Sequence, residues 1–194
     1  MNTPETPEYE KKFMYDFINT IKLLKPNLGE KLLSTGSLVE KLGSALNCLD
    51  DDLLFAGYYA NIGLLVIENL ISSQGYISNE KERSFIKEHV YYSSDFLEKR
   101  GLLISAEIVK NHHEKPNGTG YFFARNADKR VAIVNIADEF VGLSSSSHYK
   151  PHKIKSVAIK TVLEQYITSR LFSRDELLVI ENTLSEFYKT IRKH

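Results

Sequence analysis

Wound as a helix, Leu53 to Ile71 is apolar around most of its circumference. A segment of that kind is unstable unless other elements enclose it. The rest of the chain offers helices to do so. Phe13, Phe17, Ile18 and Ile21 recur at spacings of three and four, the mark of a one-faced helix. Pro26 breaks that pattern, and Leu32, Leu33, Val39, Leu42 and Leu46 resume it, with a bend expected near Gly36. Gly75 ends the central segment, and Ser78 opens a helix running to about Arg100, before Gly101. Further helices are predicted over about Ser105 to His113, Ala127 to Leu143, His152 to Ser169 and Arg174 to Arg192. Ser173 and Glu176 have the spacing of a capping box for the last of them. β-Branched residues sit inside these 3.6-residue patterns and nowhere alternate. The reading is an all-α bundle of roughly eight helices, ~70% helical.

With 194 residues, 42% of them hydrophobic, the chain suits one domain with a sizeable core. Residues 1–10 read as a flexible N-terminus and 11–194 as a single helical domain. The 25 basic and 25 acidic residues balance, which argues against a nucleic-acid partner, whose affinity rests on excess Lys and Arg. Cys48 is the only cysteine, so no internal disulfide forms, and a reducing, cytoplasmic setting is expected. No signal peptide is visible at the polar N-terminus. The apolar run Ile62 to Ile67 is far shorter than the ~20 residues a membrane span needs, so no membrane partner is expected.

Four residues carry candidate chemistry. His112 and His113 end a helical pattern, on its inner side; adjacent helical residues diverge by about 100°, so the pair can face two sides of one metal cluster. Hydrogen-bonded helix-end histidines, favoured by the helix dipole, are the plainer reading. His89 lies on an apolar face beside Phe85, Ile86 and Val90, where a satisfied boundary histidine is the ordinary alternative. Asp138 follows Val131 and Val134 on an inward row. A buried carboxylate there needs a metal, a counter-charge or several donors. A structural salt bridge or a helix cap would also satisfy it. Imidazole and carboxylate groups on facing helices are how bundles build metal sites, and this donor set suits iron, manganese or zinc.

The stretch His112-His113-Glu114-Lys115-Pro116-Asn117-Gly118-Thr119-Gly120-Tyr121 resembles the HHE-x-x-DG-x-GYP signature of the HD-GYP family, the metal-dependent phosphodiesterases of cyclic di-GMP signalling. Ala137 to Ser145 is similar to that family's AD-x-FDALTS segment, with Asp138 at its metal-binding aspartate. Tyr149-Lys150 resembles a following pair whose basic residue holds ligand phosphate, and His89 matches an isolated ligand histidine. The likeness spans about Leu32 to Lys150 and implies an HD-superfamily helical bundle. It also implies ligand contacts at Gly118, Gly120, Tyr121 and Lys150.

The departures from the family are as specific as the matches. Its defining His-Asp pair reads Ala60-Asn61, and Leu64 stands where a lysine would polarise the scissile phosphate. An upstream histidine is replaced by Thr35, the signature aspartate by Asn117 and its proline by Phe122; Ser147 falls where an arginine is usual. The resemblance thus implies no binuclear site, and either no metal or one transition ion on His89, His112, His113 and Asp138. Three readings follow: a degenerate, non-hydrolysing binding or regulatory module, a phosphohydrolase with a mononuclear site, or a purely structural regulatory domain that binds neither metal nor nucleotide. An emptied cluster would be satisfied by a protonated His112 or His113 against Asp138, with Asn61 assisting.

The 115–126 loop carries an Asn117-Gly118 turn signal, and Gly120 is read as a second position for positive φ. Its Tyr121, Phe122 and Phe123 cluster either packs on the core, Phe123 first, or serves a partner. In the family this loop docks diguanylate cyclase domains, so a partner of that type is implied at Asn117, Tyr121 and Phe122, with cyclic di-GMP as the implied small ligand.

Overall fold

The computed structural model describes residues 7–67, 80–125, 128–144 and 153–191. Ten helices order them: α1 Pro7–Leu24, α2 Pro26–Ala45, α3 Asp51–Tyr59, α4 Leu64–Ile67, α5 Glu80–Lys87, α6 His89–Lys99, α7 Leu103–Asn111, α8 Lys129–Ser144, α9 Lys155–Ile167 and α10 Arg174–Ile191. Among the described residues the sole β feature is an isolated bridge between Lys115 and Arg125. The all-α expectation is met. The count exceeds eight because two of the expected helices are each split.

The apolar stretch from Leu53 does not run unbroken. It turns through Ala60 to Gly63 and restarts as α4. Gly63 supplies the reason. Its amide donates to Ser93 Oγ at 2.9 Å, and a Cβ there would fall 2.2 Å from the His89 carbonyl oxygen. Seating the backbone this closely on α6 requires a tighter turn, and the bonds shorten to three-residue spacing: Leu64 N to Asn61 O and Ile62 N to Tyr59 O, both 3.0 Å. The expected helix ending near Arg100 is likewise interrupted, at Glu88, whose amide bonds back to Phe85 O at 3.0 Å. Ser78, its expected start, and residues 68–71 lie outside the described residues, as does His152, the expected start of α9.

Local signals set most helix ends. Pro26 occupies the first turn of α2, and Asp50 caps α3 by accepting from Leu53 N at 2.7 Å. Gly101, with φ +77°, follows α6. Ser173 and Glu176 form the capping box of α10: Ser173 N donates to Glu176 Oε2 at 2.7 Å, and Glu176 N to Ser173 Oγ at 3.1 Å. The bend anticipated at Gly36 does not occur; α2 is unbroken. α1 begins at Pro7, inside the segment read as a flexible N-terminus. Its Glu10 is buried and accepts three hydrogen bonds from Arg100, which ties that stretch into the helix.

The centre of the bundle is α8, enclosed by α2, α3, α7, α9 and α10. Every residue from Val131 to Asp138 is buried. α3 shares this interior, with Leu53 to Tyr59 all buried. The core is continuous from Met14 and Ile18 in α1 to Leu184 and Phe187 in α10. Among the described residues no helix is long and apolar enough to cross a membrane.

Candidate functional site

Three helices bring four side chains to one cluster. His89 opens α6, His112 caps the C-terminus of α7, His113 follows it, and Asp138 projects from the middle of α8. His89 and His112 are buried, each anchored through Nδ1: to Ile86 O at 2.6 Å and to Val109 O at 2.6 Å. A carbonyl oxygen only accepts, so both Nδ1 atoms carry the proton and both Nε2 atoms keep a lone pair. The Nε2 atoms of His89, His112 and His113 all lack a hydrogen-bond partner. One ligating nitrogen from each of the three lies within 4.8 Å of the others.

Burial holds all three imidazoles below their ordinary pKa of 6.5. His89 is lowered to about 3, by desolvation first and then by the neighbouring His112. His113 goes well below 6.5, for the same two reasons in the same order. Each ring therefore presents a neutral donor.

Asp138 is the cluster's charge. Burial pushes its carboxyl up, but the Lys31 ammonium beside it outweighs this and holds it well below the usual carboxylate range. Oδ1 accepts from Asn61 Nδ2 at 2.7 Å and from Lys31 Nζ at 3.0 Å. Oδ2 lies 3.9 Å from His113 Nε2, beyond hydrogen-bond reach. This corrects the expected imidazolium: the counter-ion of Asp138 is Lys31, because a lysine on α2 reaches the carboxylate while burial keeps the rings neutral. Lys31 stands four residues before Thr35 on the same face of α2. Periodicity could have flagged it, but a lysine on a mixed face ordinarily points to solvent.

Of the replaced positions, Asn61 reaches the cluster, through Asp138. Thr35 is fully buried, and its hydroxyl has no partner. Ala60 is fully buried and has no donor atom to offer. Leu64 is half-buried and packs against the core. Three buried, unpartnered imidazole nitrogens that converge fit one transition ion, and His89, His112 and His113 are the residues to hold it. Asp138 turns Oδ2 toward this group, 3.9 Å from His113 Nε2, while Oδ1 holds Asn61 and Lys31. The neutral Asn61, already donating to Asp138, is no bridging ligand for a second ion.

The loop after His113 is built around Glu114, whose role the sequence reading missed. Its buried carboxylate accepts from Phe122 N at 3.0 Å and Ala124 N at 2.8 Å. Gly120 is needed for this seat and not for positive φ. A Cβ there would lie 2.6 Å from both Glu114 Oε2 and the His113 carbonyl oxygen. Positive φ occurs instead at Gly118 (+74°) and at Phe123 (+60°). Asn117 makes the expected turn, accepting from Thr119 N at 3.1 Å and Thr119 Oγ1 at 2.7 Å. Tyr121 stacks on His113, with centroids 4.1 Å apart, and Lys87 Nζ lies 5.5 Å from its ring. Phe122 rests against Tyr91 and is 41% exposed. Phe123, expected to fold onto the core, is 77% exposed, because its left-handed backbone turns the ring away as Ala124 N is drawn to Glu114. Ser147, Tyr149 and Lys150 lie outside the described residues.

A model of the HD domain family matches residues 17–170, a span that includes the whole cluster. The chain belongs to the HD domain family. No curated protein matches it. Among solved structures, this HD domain is similar to the HD domain of the phosphodiesterase PgpH from L. monocytogenes, at 16% identity and a TM-score of 0.67, over 90% of this chain and 98% of that one. It is also similar to the same domain in complex with cyclic-di-AMP, at 16% identity and a TM-score of 0.64, over 99% of each chain. At that identity the likeness speaks for a shared HD fold.

Proposed function

We propose that this HD domain is a degenerate member of the HD-GYP branch that works in cyclic-dinucleotide signalling by binding, without hydrolysing its ligand. One observation carries the reading. Asn61 stands where the resemblance expects a metal-bridging aspartate, and its amide donates to Asp138 Oδ1 at 2.7 Å. Two-metal phosphodiester hydrolysis needs a carboxylate that holds both cations and so lowers the pKa of a bridging water. An amide of the same shape has no charge to do this. Ala60, Thr35 and Leu64 remove two further ligands and the lysine that would polarise phosphate.

What the cluster's own residues can do is bind. The three Nε2 lone pairs and Asp138 offer a polar floor beside Tyr121, whose ring is stacked on His113. Lys87 lies beside that ring and adds positive charge at the rim. Phe122 and Phe123, exposed on a loop tied down by Glu114, suit a protein partner, a diguanylate cyclase domain in the family's pattern. Asn117 and Gly118 shape the turn before them. The cyclic-di-AMP complex of the similar PgpH domain makes that nucleotide a candidate beside cyclic di-GMP.

The three open imidazole nitrogens favour a second reading, a phosphohydrolase with one ion on His89, His112 and His113. A bound ion would supply Lewis acidity at phosphate. One experiment separates the two. The full chain is loaded with manganese, iron or zinc and incubated with cyclic di-GMP and with cyclic-di-AMP, and both linear products are assayed beside equilibrium binding. Binding without product supports the module; metal-dependent product that vanishes in His113→Ala supports the hydrolase.

A further inference from the structure

A charge buried as deeply as Asp138 must be neutralised where it sits. In this cluster the neutralising group is part of the chain. Lys31 stands on α2 one turn before Thr35, the position where the resemblance expects a ligand histidine, and sets Nζ 3.0 Å from Asp138 Oδ1. The Thr35 hydroxyl has no hydrogen-bond partner. Asn61 Nδ2 holds the same oxygen at 2.7 Å, so Oδ1 cannot turn toward the histidines without losing both donors. The remaining titratable groups near Asp138 are the three imidazoles, which present lone pairs, and the neutral phenol of Tyr121. Within the cluster the charges of Lys31 and Asp138 therefore cancel.

We propose that Lys31 is a tethered cation that takes the place of a metal ion at Asp138 and keeps the histidine cluster weak for divalent ions. The proposal rests on the reading of a degenerate site and gives it a mechanism. A divalent ion drawn to the three Nε2 atoms meets the Lys31 ammonium across a single carboxylate, since Oδ2 of Asp138 lies 3.9 Å from His113 Nε2. The repulsion acts in a buried setting, where water screens it poorly. The lysine is also displaceable. Its side chain keeps 33% exposure, and its flexible stem can carry the ammonium back to water. Ion and ammonium thus compete for the charge of one carboxylate.

The test is calorimetric titration of the chelator-treated full chain with zinc and with manganese. Lys31→Met is expected to bind zinc about tenfold or more tighter than the wild type, since it removes one positive charge from beside the site. Lys31→Arg keeps the charge and should stay at the wild-type level. Should Lys31→Met fail to fold with Asp138 unpaired, the same question is put to the neutral background. Lys31→Met with Asp138→Asn is expected to bind zinc tighter than Asp138→Asn alone. Equal affinities within either pair, or tight binding by Lys31→Arg, would overturn the proposal. Turnover of a cyclic dinucleotide by the wild type would instead sink the reading of an inactive domain, and would leave Lys31 to be judged on the zinc titrations alone.

Discussion

At the residue scale the decisive quantity is where charge sits. Three imidazoles are held neutral by burial, and one carboxylate is held ionised by Lys31. This has a consequence for stability against pH. Each histidine has a folded-state pKa below its ordinary 6.5, so the unfolded chain takes up protons first as the solution is acidified. Stability is complete above 6.5 and falls with pH below it, the His89 contribution being lost down to about 3. Asp138 is also depressed, and its contribution is lost only below the ordinary 3.8. Denaturation in guanidinium with chelator present should therefore show a lower midpoint at about pH 5 than at about pH 7.5. Equal midpoints would mean the rings are not buried neutral. Glu114 makes a second prediction. Glu114→Ala leaves the amides of Phe122 and Ala124 without an acceptor and should cost about 2 kcal/mol. Trypsin should then cut faster after Arg125; unchanged cleavage would show that the loop is held by other means.

At the scale of elements, two connections carry α1 and α10. Arg100 at the end of α6 makes three hydrogen bonds to Glu10, at 2.8 to 3.0 Å, and lies 3.8 Å over the ring of Phe13. Both side chains are largely buried. Arg100→Ala leaves Glu10 buried beside an empty space and is expected to cost about 3 kcal/mol in a urea melt. A loss under about 1 kcal/mol would show that α1 is held by its apolar face alone. Ser173→Ala removes one half of the α10 capping box and should cost about 1 kcal/mol. That cap, like the Pro26 start of α2, is written in neighbouring residues and was legible in advance. The break at Ala60 to Gly63 was not, because its cause is a contact between Gly63 and α6, thirty positions away.

For the whole molecule, one apolar core extends from α1 to α10 with α8 at its centre. A core without an internal boundary predicts one cooperative transition. Helicity by circular dichroism and tyrosine absorbance should then melt at the same midpoint; separated transitions would argue for two units. The same arrangement decides where function can sit. α6, α7 and α8 place three histidines and Asp138 together, α2 and the turn after α3 deliver Lys31 and Asn61 to them, and the loop after His113 carries its exposed aromatics beside the cluster.

The helical class and most helix ends are written in the sequence, which also singles out His89, His112, His113 and Asp138, residues the fold brings together. Periodicity and caps are local, and a spacing of three or four residues tells which side of a helix faces inward whatever that helix packs against. It also carried the replacements Thr35, Ala60, Asn61 and Leu64. Tertiary structure alone decided what those replacements do. Which oxygen Asn61 holds, which cation answers Asp138, why Gly120 is a glycine and why Phe123 points outward all depend on distances between segments remote in the chain. A buried charge selects its partner by proximity in the folded state, and no periodicity encodes that choice.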